Sequence, residues 1–241
     1  MPPQLSIVAP CFNEEEIIES VVKDWMEFLR DNEPDSEVVI TEDGSTDRTR
    51  EILDKLRTKY PNLRVVCNDQ NSGYGAALLR AIQSSSGKLV LTIDSDGQFD
   101  ASDYLKLKET MQSDGADFVS GYREKKRDSF LRVLADRALR LIVRVFFDIR
   151  LHDPNCALKL LNGDLARSLV IEATGYPTPT EICIRVSELG YKSAERMVAH
   201  HDRRGGLSKL KLFRTGFKAL FFLAYLFLKL KLHRRRIISG F

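Results

Sequence analysis

Asp94 and Asp96 stand two residues apart just after an apolar run, Leu89-Val-Leu-Thr-Ile93. Two carboxylates at that spacing can address one hard cation, directly or through water. Mg²⁺ and Mn²⁺ take oxygen ligands, and Mg²⁺ typically combines one or two carboxylates with substrate phosphates. A diphosphate bridged by such an ion becomes a good leaving group, because the ion neutralises charge that develops as the bond breaks. The same two residues could instead cap a turn. Three more polar clusters also follow apolar runs: Pro10-Cys-Phe-Asn-Glu14, Glu42-Asp-Gly-Ser-Thr-Asp47 and Asn71-Ser-Gly-Tyr-Gly75. In the second cluster Ser45 or Thr46 could cap a following helix. Its carboxylates could also accept from a base N–H or ribose hydroxyls. Gly73-Tyr-Gly75 does not extend to a dinucleotide fingerprint, since Leu78 stands where the third glycine would fall. No GxxxxGK[ST] is present, which removes a P-loop.

The elements between these clusters explain why they should converge. Leu5–Ala9 reads as a strand ended by Pro10. Asn13 and Glu16 have capping-box spacing, and Ile17, Ile18, Val21, Val22, Trp25, Phe28 and Leu29 give one apolar helical face. Strands are expected at 37–41, 63–67, 89–93 and 117–120, and helices at 46–60, 75–85 and 102–112. Alternating strands and helices imply right-handed βαβ units, hence an α/β, Rossmann-like, mostly parallel sheet covered on both faces. Ligands in such sheets bind beyond the carboxyl ends of the strands, where all four clusters fall. Further on, 128–147 reads as a long helix, 156–161 as a strand, 180–189 as a helix and 193–199 as a strand.

Composition bounds the class. With 241 residues, 43% hydrophobic and 29% charged, the chain is neither disordered, fibrous nor a disulfide miniprotein. Its longest uncharged apolar run, Ala219–Leu228, is half of what a membrane-spanning helix requires. Cys11, Cys67, Cys156 and Cys183 have no CxxC spacing and read as small buried hydrophobes. The first residues carry no basic, apolar leader pattern, so a cytoplasmic setting is expected. The net charge of +3 is a cancellation. Residues 200–241 hold eleven Lys/Arg and one acid, a balance of +10, which leaves −7 for residues 1–199. Such asymmetry points to an acidic or anionic partner. Nucleic acid is not expected, given the acidic body and the absence of a binding motif.

Together these motifs resemble the family 2 glycosyltransferases of GT-A fold, in the branch typified by dolichol-phosphate mannosyltransferase and bacterial polyprenyl-phosphate enzymes. The similarity runs from about Leu5 to Leu212. Besides the four clusters it includes Gly121-Tyr-Arg123, Asp153-Pro-Asn-Cys-Ala-Leu-Lys159 and Arg204-Gly-Gly-Leu-Ser-Lys209. Glu42 stands where Asp is usual, Gly97-Gln-Phe-Asp100 where L-Q-H-P is common, and Ala157 where Gly is usual. The resemblance implies that Pro10, Asn13, Glu14, Glu42, Asp43, Asp94 and Asp96 line the nucleotide-sugar site. It implies that Asp94, Asp96 and Gln98 hold Mg²⁺ or Mn²⁺, with Asp96, Gln98 and Arg123 at the reacting centre. Arg123, Arg132, Arg204, Ser208 and Lys209 would face an acceptor phosphate.

The implied reaction is inverting transfer of a hexose from a nucleoside-diphosphate sugar, with GDP-mannose first and UDP-glucose second, to a polyprenyl phosphate. An ionised phosphate needs little help from a base, whereas a glycan hydroxyl would need one. Glu181 and Asp153 are the candidates for that role, although Glu181 reads more readily as an acid favouring a helix N-terminus. A glycan-directed transferase and an inactive sugar-nucleotide-binding or interaction module are the alternatives. The catalytic body is expected at 1–205 and a basic amphipathic tail at 206–241. In the tail Leu207, Leu210, Phe213, Phe217, Leu220 and Phe221 share one helical face, and Lys211, Arg214 and Lys218 another. That pattern suits amphipathic helices lying on an anionic membrane surface, making the protein peripheral. A helix packed on the body or in a homo-oligomer is the other reading.

Overall fold

The computed structural model of the protein describes residues 1–123, 130–202 and 212–234, with side chains for all of these except 130–136, 212–215 and 234. Seven strands and eight helices are present among the described residues. The chain opens with β1 (Leu5–Cys11), α1 (Ile18–Asn32), β2 (Glu37–Glu42), α2 (Thr49–Lys59) and β3 (Leu63–Cys67). It continues with α3 (Tyr74–Gln83), β4 (Leu89–Thr92), α4 (Asp103–Asp114), β5 (Phe118–Arg123) and α5 (Phe130–Phe147). The last elements are β6 (Lys159–Asn162), α6 (Gly163–Ser168), α7 (Thr178–Glu188), β7 (Ser193–Val198) and α8 (Leu212–Arg234).

The strands form one sheet in the order β3-β2-β1-β4-β6-β5-β7. All pairings are parallel except those of β6, which runs antiparallel to both β4 and β5. The chain builds outward from β1 to β3, then returns to lay β4 against the other side of β1. That reversal makes the β1/β4 seam a switch point, and open α/β sheets bind ligands in the crevice beyond the strand ends at such a point. β1 and β2 are buried along their whole length, as their β-branched sequences require in a sheet covered on both faces. One core cluster joins the apolar face of α1 to Leu5, Ile7, Val38, Ile40 and Leu91. A second lies on the opposite face, where α3, α6 and α7 cover Val8, Val39, Val90 and Phe118.

Three local expectations require correction. No capping box opens the first helix. α1 begins at Ile18 after Ile17, which makes no side-chain cap, and Asn13 adopts φ 54° with its side chain directed elsewhere. Neither Ser45 nor Thr46 caps α2. Its flanking residue is Arg48, and the Thr49 N–H is taken by Asp47 Oδ1 at 2.9 Å. The strand expected at 156–161 is the shorter β6, followed directly by the unforeseen α6, which Asn162 caps through its side chain.

The C-terminal α8 docks on α5. Ala219, Leu223, Leu226 and Leu230 are buried, and the latter three meet Leu139, Val143, Phe147, Ile149 and Ile184. Its opposite face exposes Phe217, Leu220, Phe221, Tyr225, Leu228 and Leu232. The expected apolar stripe at 217, 220 and 221 is therefore the outward face, and a stripe two positions round the helix holds it to the body. No helix among the described residues is long and apolar enough to cross a membrane.

Candidate active site at the sheet switch point

The four polar clusters meet at the carboxyl edge of the sheet, and side chains tie each to the next. Asn13 follows β1. Its backbone N–H donates to Ser45 Oγ (3.0 Å), and its Oδ1 accepts from the Thr46 N–H (2.8 Å). The Glu14 N–H donates to Thr49 Oγ1 at 2.8 Å. The residues that could have capped two helices therefore join the first loop to the second. Asn13 can do so because Asn tolerates the left-handed backbone better than most residues.

Asp43 joins the second loop to the third. Its Oδ1 accepts from Asn68 Nδ2 (2.6 Å), the Ser72 N–H (2.9 Å) and Ser72 Oγ (2.6 Å). Its Oδ2 accepts from the Gly73 N–H at 3.0 Å. Beside it Glu42 is fully buried. Its Oε1 accepts from the Ser45 N–H at 2.6 Å, while Oε2 makes no hydrogen bond among the described residues. The third loop reaches the fourth through Tyr74, whose hydroxyl donates to Asp94 Oδ1 at 2.8 Å. Burial first, then the Asp94 carboxylate, push the Tyr74 pKa well above its ordinary value, so it stays a donor at working pH. The ring closes where Ser95 Oγ donates to the Pro10 carbonyl at 2.9 Å.

This ring sets out Asp94 and Asp96 beside the β1/β4 crevice. Asp94 is anchored through Oδ1 by Tyr74, and Asp96 through Oδ1 by the Gln98 N–H at 3.1 Å. No cluster of three or more His, Cys, Asp or Glu is poised for a metal among the described residues. An oxygen pair of this kind fits Mg²⁺ or Mn²⁺ bound together with substrate phosphates, and not a closed all-protein cage. Gln98 also meets the segment after β7: its Nε2 donates to the His201 carbonyl (3.1 Å), and the His201 N–H donates to the Gln98 carbonyl (2.9 Å). Gln98 thus fastens the segment after β7 to the Asp94–Asp96 loop.

Arg123, at the end of β5, grips Asp153 with two parallel bonds, Nε–Oδ2 at 2.6 Å and an amino nitrogen to Oδ1 at 3.1 Å. Both expected bases carry structural bonds. Asp153 is buried in that pair. Glu181 is fully buried and accepts from the Glu172 N–H (3.0 Å), the Ala173 N–H (2.7 Å) and Arg185 Nε (2.7 Å). Arg132 lies on α5 with its side chain outside the described residues, and Arg204, Ser208 and Lys209 lie outside them entirely.

Sequence reasoning missed Tyr74 and Ser95, and both lie inside motifs that it did single out. The missing signal was contact. A phenol opening a helix and a serine between two aspartates have no marked spacing. All four cysteines are unpaired, and burial raises Cys11 strongly and Cys156 to about 12, so neither serves as a thiolate.

Residues 6–157 match the model of glycosyl transferase family 2. The chain belongs to that family. Among curated relatives it is similar to a dodecaprenyl-phosphate galacturonate synthase of Rhizobium johnstonii, at 28% identity over 88% of this chain and 63% of that one. It is also similar to an undecaprenyl-phosphate 4-deoxy-4-formamido-L-arabinose transferase of Pseudomonas paraeruginosa, at 29% over 87% and 61%. The chain thus spans less than two thirds of the length of these two relatives. Among solved structures, glucosyl-3-phosphoglycerate synthase from Mycobacterium tuberculosis, determined with Mn²⁺, uridine diphosphate and glucosyl-3-phosphoglycerate, superposes with a TM-score of 0.66 at 23% identity. That match covers 99% of this chain and 82% of that one, and it shows the GT-A fold.

Proposed function

We propose that the protein transfers a sugar from a nucleoside diphosphate to a polyprenyl phosphate, with inversion, using a divalent cation held by Asp94 and Asp96. The observation that carries this reading is the anchored carboxylate pair at the β1/β4 switch point, ringed by four loops that are bonded to one another. Mg²⁺ or Mn²⁺ bound there with the donor diphosphate would offset charge on the departing nucleotide. Pro10, Asn13, Glu14, Glu42 and Asp43 form the nucleotide side of the site. In this reading Asp43 acts by holding the third loop. Gln98 contributes by fixing the segment that leads towards Arg204.

An acceptor phosphate suits the site better than a hydroxyl. A hydroxyl needs a base, and Glu181 and Asp153 are already occupied by backbone amides and guanidinium groups. An ionised phosphate instead needs cationic and hydrogen-bonding donors, which the guanidinium groups of Arg123, Arg132 and Arg204, the Lys209 ammonium and the Ser208 hydroxyl would supply. The names of the curated relatives support a lipid phosphate. The uridine diphosphate in the solved neighbour makes a UDP-sugar the first donor to test and GDP-mannose the second. The body would comprise residues 1–205, with 206–241 as a membrane-associating tail. The exposed aromatic stripe of α8, together with Leu141, Val145 and Phe146 beside Arg140 and Arg144 on α5, is the surface we assign to an anionic bilayer at its cytoplasmic face.

Purified protein with Mn²⁺, a panel of sugar nucleotides and polyprenyl phosphate should form a lipid-linked sugar, and Asp96→Ala should abolish it. Transfer to glycan hydroxyls with none to the lipid phosphate would overturn the acceptor assignment. Wild-type turnover by Asp96→Ala would remove the cation from the mechanism.

A further inference from the structure

We propose that Tyr74 is a positioning residue for the cation site: its phenol, locked between two loops, holds the Asp94 carboxylate in the orientation that the cation and donor diphosphate require. The inference rests on the assignment of Asp94 and Asp96 to the cation.

The geometry gives Tyr74 little freedom. It is the first residue of α3, and its neighbours on both sides are glycines whose missing side chains are filled by another segment. A Cβ on Gly73 would lie 2.5 Å from the Thr174 carbonyl oxygen, and one on Gly75 only 1.7 Å from that of Ala173. Gly73 has φ 90° and donates its N–H to Asp43. The backbone carrying the phenol is therefore pressed against residues 173–174 and tied to the second loop. Residues 173–174 are themselves fixed, since the Ala173 N–H donates to the buried Glu181 at 2.7 Å. The phenol is thus presented at a defined point, 2.8 Å from Asp94 Oδ1.

Asp94 needs such a partner. The terminal torsion of an aspartate is broad, so backbone position alone does not set the plane of its carboxylate. Asp96 obtains its orientation from the Gln98 N–H of its own turn. Asp94 obtains one from a residue twenty positions away in another loop. A carboxylate held through one oxygen enters a cation site with its orientation already settled. Loss of such an outer partner typically weakens metal binding about 10–100-fold.

The test is a Mn²⁺ titration of the full chain, read by the electron paramagnetic resonance signal of free Mn²⁺, with and without uridine diphosphate. Wild type, Tyr74→Phe and Asp96→Ala are compared. Tyr74→Phe should raise the Mn²⁺ Kd about tenfold, leave the metal-free unfolding midpoint near wild type, and reduce the rise in midpoint that Mn²⁺ produces. Its turnover should recover at high Mn²⁺, whereas that of Asp96→Ala should not. A Tyr74→Phe protein with wild-type Mn²⁺ affinity, beside an Asp96→Ala protein that has lost it, overturns the role of Tyr74. Wild-type Mn²⁺ affinity in both variants overturns the cation assignment and the inference with it.

Discussion

At the residue scale, several side chains that read as local devices serve long-range ones. Asn13, Ser45 and Thr46 look like helix caps and are used instead to bond one loop to another. Asp43 looks like a ligand-facing carboxylate and accepts four hydrogen bonds from the third loop and its flank. Gly75 needs no special backbone angle, yet the Ala173 carbonyl occupies the space of its side chain. Gly75→Ala must push that carbonyl away, and through it the Glu181 anchor. We expect a loss of roughly 2–3 kcal/mol, measurable by urea denaturation, together with weaker nucleotide binding by calorimetry. Wild-type stability in that variant would show that residues 173–174 yield freely. The clusters themselves were legible because four polar segments each follow an apolar strand run, which places them on one edge of a parallel sheet. Their cross-bonds were not, since no spacing rule relates residue 74 to residue 94.

At the element scale, the parallel βα units were readable from alternation, and their centres fall where the apolar runs lie. The second half was less readable. β6 is only four residues long, and it runs antiparallel between β4 and β5. A run that short carries no directional signal of its own. α8 illustrates the same limit. Its apolar residues occupy more than one face, so periodicity cannot tell which face docks. Glu172 contributes to that choice: it accepts from Tyr225 Oη (2.8 Å) and Lys229 Nζ (2.7 Å) of α8, and pairs with Arg185 of α7. Burial alone would raise the Glu172 carboxyl. The bonds from Lys229, Tyr225 and Arg185 outweigh it, so the pKa lies below the ordinary glutamate value of 4.5. A carboxyl depressed in the folded state stabilises above its unfolded pKa, and that contribution is lost as pH falls through the folded value. The docking of α8 should therefore hold at neutral pH and loosen below about pH 4.5. Hydrogen exchange of α8 amides should report the loosening, and Glu172→Gln should flatten the pH dependence. An unchanged acid profile in Glu172→Gln would remove Glu172 from the docking.

At the scale of the whole molecule, we read the acidic body and the basic tail as two working surfaces, one for the donor and one for a membrane. The body concentrates carboxylates at one sheet edge. The α5–α8 pair turns aromatic and aliphatic side chains outward, joined by the Phe146–Phe227 ring contact at 5.2 Å. Phe217 and Phe221 are 64% and 75% exposed, so their replacement costs the fold little. Phe217→Ser with Phe221→Ser should keep the thermal midpoint and reduce sedimentation with anionic liposomes several-fold, the more so at high salt. Leu226→Ala, on the buried face, should instead destabilise by about 2–5 kcal/mol. Undiminished sedimentation of the double serine variant would place membrane contact elsewhere.

The sequence by itself determined the alternating strands and helices of the first half, the four polar clusters at strand ends and the family, because each depends on residue types close together along the chain. Tertiary structure decided what those clusters do to one another. It turned two apparent caps into loop bonds, assigned both candidate bases to structural duty, gave Asp94 the Tyr74 phenol and chose the docking face of α8. Most of these outcomes rest on contacts between residues twenty to more than fifty positions apart. Such contacts form when the sheet brings its loops to one edge, and no local pattern records them.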